Sequence, residues 1–183
     1  TKKSVSLIKE AKKKGLNVTC SVAITNLLLT DDVLSSFDTN YKLLPPLRTS
    51  IDVKALLKGI KEGVIDAITS DHNPIDIEHK KIEFDHALYG SVGLESCFGA
   101  INSLLSTVMS IKMLTGLKKE FLVETIGIEE NNTANITLFN PSGEWIFNEK
   151  HILSSSKNSA LIKSKLKGNV YGIFANKKLV LNK

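Results

Sequence analysis

The chain has 183 residues, 42% of them hydrophobic, with 24 basic against 19 acidic side chains and a formal charge of +5. That is enough apolar material for one or two domains with a buried core, and the few aromatics form no aromatic-basic cluster, which argues against a nucleic-acid surface. No apolar run approaches the ~20 residues of a membrane span, and the opening TKKSVSLIKE has no signal-peptide core, so no membrane association is expected.

Val5, Ile8 and Ala11 recur at helical spacing before Gly15, so residues 3–14 read as an amphipathic helix ending at a glycine cap. The β-branched run LNVTCSVAI, residues 16–24, reads as a strand. Thr30 and Asp31 then open a short helix, and DTNYKLLPPLRTS is a proline-stiffened loop. Ser50 and Asp52 cap a second helix, IDVKALLKGIKEG, which feeds a core strand around Val64, Ile65, Ala67 and Ile68.

Helix-then-strand twice over is the pattern of a parallel β/α array, and it places Asp71 and His72 where the second strand runs out. A polar loop of some twenty residues follows, long enough to suggest a functional role. LESCFGAINSLLSTVMSIKML reads as one or two buried helices. Beyond Glu130 the texture changes to short strands broken by Asn, Pro and Gly, the last pair a hairpin turning at ANKK. A boundary near residue 128 is expected, giving an α/β unit over 1–128 and a small β unit over 129–183.

Cys20 and Cys97 stand in apolar surroundings without CxxC spacing and read as reduced thiols, which makes a cytoplasmic location the expectation. The lysines of KEAKKK, KALLKGIK, GLKKE and IKSKLKG read as solvated faces. His72 is expected to fix the strand end by hydrogen bonding. His79 and His86 read as exposed loop histidines, with replacement metal ligands the minor alternative, and His151 as a surface residue.

TSDHNP, ALYGSVGLES, ANITLFNPSGEWIF and SKNSALIKSKLKGNVYGIFANKKLV, with NLLLTDD and PPLRT earlier, together resemble the C-terminal half of a dihydroorotase of the amidohydrolase superfamily. The resemblance spans nearly the whole chain. It implies a TIM-type (β/α)8 barrel with an attached β-sandwich: residues 1–128 as the last barrel units, 129–183 as strands of the composite sandwich, and the site at the C-terminal strand ends. The early strands, with the family's His-x-His motif and bridging lysine, are not in this sequence. A separate N-terminal half of the barrel is therefore the expected partner, the alternative being that the chain is a fragment, and a homodimer is expected by analogy.

In that family the aspartate matching Asp71 binds zinc and acts as general base on a cyclic amide, since zinc lowers the pKa of its water to near 7. Leu88 and Gly90 match positions of a loop that contacts substrate through its backbone. The sequence departs from the family elsewhere: Ala23-Ile24-Thr25-Asn26 stands for Thr-Pro-His-His, so Thr25 or Asn26 replaces an imidazole that the resemblance assigns to zinc. Leu44 replaces an asparagine, and Ile75 the second histidine of Asp-His-Ala-Pro-His, whereas Pro45, Pro46, Arg48, Pro74, Gly90, Gly93 and Glu95 are kept. The resemblance thus implies zinc-dependent opening and closing of the dihydroorotate ring in pyrimidine synthesis as the ancestral reaction, with this form impaired or inactive. Rival readings are an amidohydrolase of altered substrate class and a non-catalytic assembly partner of aspartate transcarbamoylase.

Overall fold

The computed structural model describes residues 1–118, 120–121, 123 and 127–182; Lys119 of the GLKKE run lies outside them. Helix α1, Lys2–Lys13, begins at Thr1, whose side chain accepts from the Ser4 N–H, and closes on Lys12 and Lys13, cations suited to the carbonyl end of a helix. Gly15 follows in the left-handed conformation, φ 76°, as a terminating glycine should. Helix α2 is a single turn, Thr25–Leu28, and α3 spans Ser50–Lys61. The cap of α3 is Thr49, which accepts from Asp52 N, and not Ser50 as the sequence suggests: Ser50 is already the first helical residue.

Strands β1, Ser21–Ala23, and β2, Ala67–Thr69, pair in parallel with Ser21 opposite Ala67 and Ala23 opposite Thr69. Strand β1 is shorter than the apolar run 16–24. Its lead-in is held by backbone and side chain together: Asp66 N donates to Cys20 O at 2.9 Å, while the Asp66 carboxylate accepts from Cys20 N at 2.8 Å and from Lys12 Nζ at 2.6 Å. In-register Val22 and Ile68 pack into the core; on the opposite face Ser21 and Thr69 are exposed while Ala23 and Ala67 are buried.

Helices α4, Leu94–Leu104, and α5, Thr107–Thr115, resolve the long apolar segment into two elements, broken where Ser106 caps α5 through Met109 N. Among the described residues the second sheet has three antiparallel strands, in the order β3 (Ile136–Ile146), β4 (Lys165–Ala175), β5 (Lys178–Leu181). The sequence suggests interruption at Asn140-Pro141-Ser142-Gly143; β3 is continuous and absorbs these residues as an irregularity between Asn140 and Glu144. The β4–β5 hairpin turns at Asn176 and Lys177, both at positive φ, as a two-residue type I′ loop requires.

The two sheets do not have separate cores. Phe147, Leu161 and Leu166 from the C-terminal part share one buried cluster with Ile24, Ile60, Ile68, Val92, Ile101 and Met113. Gly99 of α4 makes that possible: a methyl there would press on Leu166, at 3.0 Å, and on the Trp145 ring. None of the described helices is long and apolar enough to cross a membrane.

Gly116, just past α5, is pressed against the lead-in to β2, where an added methyl would overlap the Asp66 carbonyl oxygen. Gly116→Ala should destabilise the fold by about 1–3 kcal/mol, because backbone cannot yield as a side chain can. Urea denaturation midpoints check this; an unchanged midpoint would contradict the packing.

Candidate functional site

The C-terminal end of β2 delivers Asp71 beyond the last paired residue, in the left-handed conformation, φ 49°, which Asp tolerates better than most side chains. Its carboxylate is half-buried and accepts no hydrogen bond among the described residues. Burial therefore goes uncompensated and pushes its pKa above the ordinary carboxylate value.

His72 bonds as the sequence leads one to expect. Its Nδ1 accepts from the backbone N–H groups of Gly93 and Leu94, both at 3.2 Å, at the start of α4, and its Nε2 lies 3.5 Å from Ser154 Oγ. The Ser154 hydroxyl donates to Glu95 Oε1 at 3.0 Å, which also accepts from Leu153 N and Ser154 N. Burial disfavours charge on Glu95, but these donors, with its own backbone N–H, outweigh it and hold the carboxyl below its usual pKa. Glu95 Oε2 is buried without a partner among the described residues.

The loop after Asp71 is stapled down on two sides. Lys80, only 4% exposed, donates from Nζ to Thr39 O while the Thr39 hydroxyl donates to Lys80 O. Lys42 Nζ donates to Phe84 O and Asp85 O and lies over the Phe84 and Tyr89 rings. On the other side Asn158, buried, accepts from Ile75 N and donates to Gly90 O. Ser159 Oγ donates to Val92 O, and Ser91 Oγ accepts from Ala160 N. Sequence reasoning missed Ser154, Asn158 and Ser159 as supports of this loop. Their signal is small polar residues in SSSKNS followed directly by buried Ala160 and Leu161.

Of the two loop positions matched to substrate contacts, Leu88 is half exposed and gives its N–H to His79 O. Gly90 uses both backbone groups internally, its N–H on Lys42 O and its carbonyl on Asn158. At φ 150°, with Asn73 and Ile75 against its Cα, it admits no side chain. Leu44 is exposed and Ile75 half-buried.

Thr25 and Asn26 sit where β1 gives way to α2, and both are buried. Asn26 is committed to the fold, donating from Nδ2 to Pro46 O at 2.9 Å; the Thr25 hydroxyl has no partner among the described residues. His86 is exposed beside Glu83, at 3.9 Å. His151 is partly exposed, with its ring against aromatic neighbours. The turn Glu149–His151 folds it back beside Trp145 and Phe147, and its Nδ1 accepts from Asn148 N.

Asp71 can offer one oxygen donor to a metal, but no group of three His, Cys, Asp or Glu gathers among the described residues. The donors among the described residues therefore do not by themselves fit a zinc ion, which needs three or four. A concavity lies elsewhere: an apolar groove of about 590 Å³ on the flank of β1, lined by Val5, Ile8, Val22, Pro45, Pro46 and Arg48 among others, without Asp71.

The fold as a whole is that of part of a cyclic amidohydrolase. It superposes on an L-hydantoinase (dihydropyrimidinase) from Arthrobacter aurescens with a TM-score of 0.88 at 21% identity, over 100% of this chain and 43% of that one. The dihydropyrimidinase of Brevibacillus agri gives 0.84 at 22% identity, over 97% and 42%. The inactive dihydroorotase-like domain of a CAD-like multifunctional protein from Chaetomium thermophilum gives 0.65 at 20% identity, over 98% and 48%. No family model matches the chain. Within that class the chain is a dihydroorotase homologue: it is 39% identical over 176 residues to the dihydroorotase of a Thermoanaerobacter species, and 40% identical over 173 residues to that of Endomicrobium trichonymphae. These alignments take in 93% and 90% of this chain but 41% of each relative, so the chain spans about two-fifths of the length of the curated relatives it matches.

Burial, then the charge of Lys42, lowers the Lys80 amine from 10.5 to about 8. The folded chain thus releases this proton before the unfolded chain does, and between pH 8 and 10.5 the unfolded state binds more protons, so stability rises with pH. By pH 10 the wild type should have gained about 2 kcal/mol relative to Lys80→Met. Denaturation at pH 7 to 10 tests this; parallel pH profiles for the two proteins would contradict it.

Proposed function

We propose that this chain is the C-terminal part of a dihydroorotase-type hydrolase, with residues 1–128 as its last barrel units and 129–183 as strands of its sandwich. The observation that carries the reading is Asp71: a half-buried carboxylate with no hydrogen-bond partner among the described residues, at the C-terminal end of a parallel strand, where such folds hold their reacting groups. Hydrolysis of a cyclic amide needs a group that takes a proton from water as the water oxygen attacks the ring carbonyl, and returns a proton to the ring nitrogen as the C–N bond breaks. Asp71, whose burial raises its proton affinity, suits both transfers. The exposed Leu88 lies on the loop that would meet the substrate. Gly90 contributes by shaping that loop, since its own backbone groups are engaged.

In this form we expect the activity to be impaired. Asp71 is a single donor, Asn26 is tied to Pro46, and Leu44 and Ile75 offer no polar partner to a ring amide or carboxylate. Each polar substrate atom left unpaired costs about 1–3 kcal/mol. We propose that the remaining donors, and with them zinc, come with an N-terminal barrel segment seated in the apolar groove beside β1. A non-catalytic scaffold, partnered with aspartate transcarbamoylase or with a second copy, is the second reading.

The test is turnover of dihydroorotate by the chain alone and by the chain joined to an N-terminal barrel segment, each with zinc. The chain alone should be inactive, and the joined protein should show activity that Asp71→Asn reduces by at least about a hundredfold. A joined protein that binds no zinc and turns over nothing would leave the scaffold reading; turnover unaffected by Asp71→Asn would refute the role given to Asp71.

A further inference from the structure

We infer that His72 is a positioning residue for Asp71, held as a neutral imidazole in one tautomer by a chain of hydrogen bonds that begins at the α4 N-terminus and ends on Glu95. Every link has its direction fixed. Gly93 N–H and Leu94 N–H are donors and nothing else, so His72 Nδ1, which meets both, carries no proton. At the other end Glu95 Oε1 gathers Leu153 N–H, Ser154 N–H and the Ser154 hydroxyl, as an ionised carboxylate does. The Ser154 proton therefore points at Glu95, and its oxygen is left to accept from the remaining ring nitrogen, His72 Nε2–H, at 3.5 Å.

The consequence falls on the residue before it. Gly93 has no side chain, and Ser70 O lies where its Cβ would be. Ser70 is thus pressed on Gly93 from one side while His72 is bonded to the Gly93 and Leu94 amides from the other. Asp71 is the only residue between two anchored neighbours. It spans them by turning left-handed, φ 49°, with its carboxylate bonded to no described group. The α4 cap residue, Gly93, contributes no side-chain acceptor of its own, so the imidazole fills a role that Ser or Asp usually takes. Through Ser154 and Glu95 the same chain ties this bridge to the segment leading into β4, 82 residues further along the sequence.

This inference uses the proposed function only for what Asp71 does; the geometry stands without it. His72→Phe removes the acceptor, and His72→Asn can restore one near the Nδ1 position. In the 183-residue chain, His72→Phe should lower hydrogen-exchange protection at Gly93 and Leu94 by roughly five- to tenfold, as expected for losing one net hydrogen bond. It should also move the Asp71 13Cα shift away from its left-handed value, leaving Ala67–Thr69 unchanged, and His72→Asn should recover both. Loss of protection with an unmoved Asp71 signal would reduce His72 to a helix cap and overturn the inference, as would no change at all. If His72→Phe does not fold, His72→Asn decides: an Asp71 shift that departs from wild type overturns the proposal. In the joined protein, His72→Phe should lower kcat about tenfold with KM unchanged. A wild-type joined protein without turnover would sink the functional reading, while the Asp71 signal would still decide the role of His72.

Discussion

Two backbone amides at the start of α4 converge on one ring nitrogen of His72, and the site end of the molecule depends on that contact. It adds a polar tie to the close packing of Ser70 on Gly93 and to the bonds that Glu95 makes to Leu153 and Ser154. Individually these bonds are modest, each contributing about 0.5–1.5 kcal/mol net. Their weight comes from where they fall. They join a parallel strand to the helix that follows a loop of some twenty residues, so they close that loop at its base.

The loop itself then has little freedom. Lys42 and Lys80 hold it to the turn at Thr39–Tyr41, and Asn158, Ser159 and Ser91 hold it to the late segment beneath. Both lysines are engaged with backbone carbonyls instead of carboxylates, so the loop is positioned by cations whose charge no described acid neutralises directly. Burying Lys80 in that way carries a cost, visible in its lowered pKa, which suggests that holding the loop matters more here than minimising electrostatic strain.

Much of the fold was legible in the sequence because local chemistry and tertiary need agree there. Val5, Ile8 and Ala11 with Gly15 define α1, and Asn176-Lys177 defines the last turn, since each is a short-range signal with a single geometric solution. Asp71 at the strand mouth and His72 as a hydrogen-bonding anchor were equally readable. What could not be read were interactions across long separations. The Asp66 carboxylate meets Cys20 N, the His151 ring packs beside Trp145, and Asn158 supports a loop some seventy residues earlier. Nor does pattern reveal that Asn26 faces Pro46, which decides which of the two residues at that position is free.

Kept scaffold and altered polar groups coexist in this chain, and the scaffold is the part that the hydrogen bonds explain. Gly90 and Gly93 are fixed by close contacts that no side chain could share, while Leu44 is exposed. Whether the carboxylate is presented as described rests on the proton arrangement of one imidazole. The most direct measurement is the 15N spectrum of the His72 ring in the folded chain. A non-protonated Nδ1 coupled to the Gly93 and Leu94 amide protons, with a protonated Nε2, is the predicted result; a protonated Nδ1 would contradict the account.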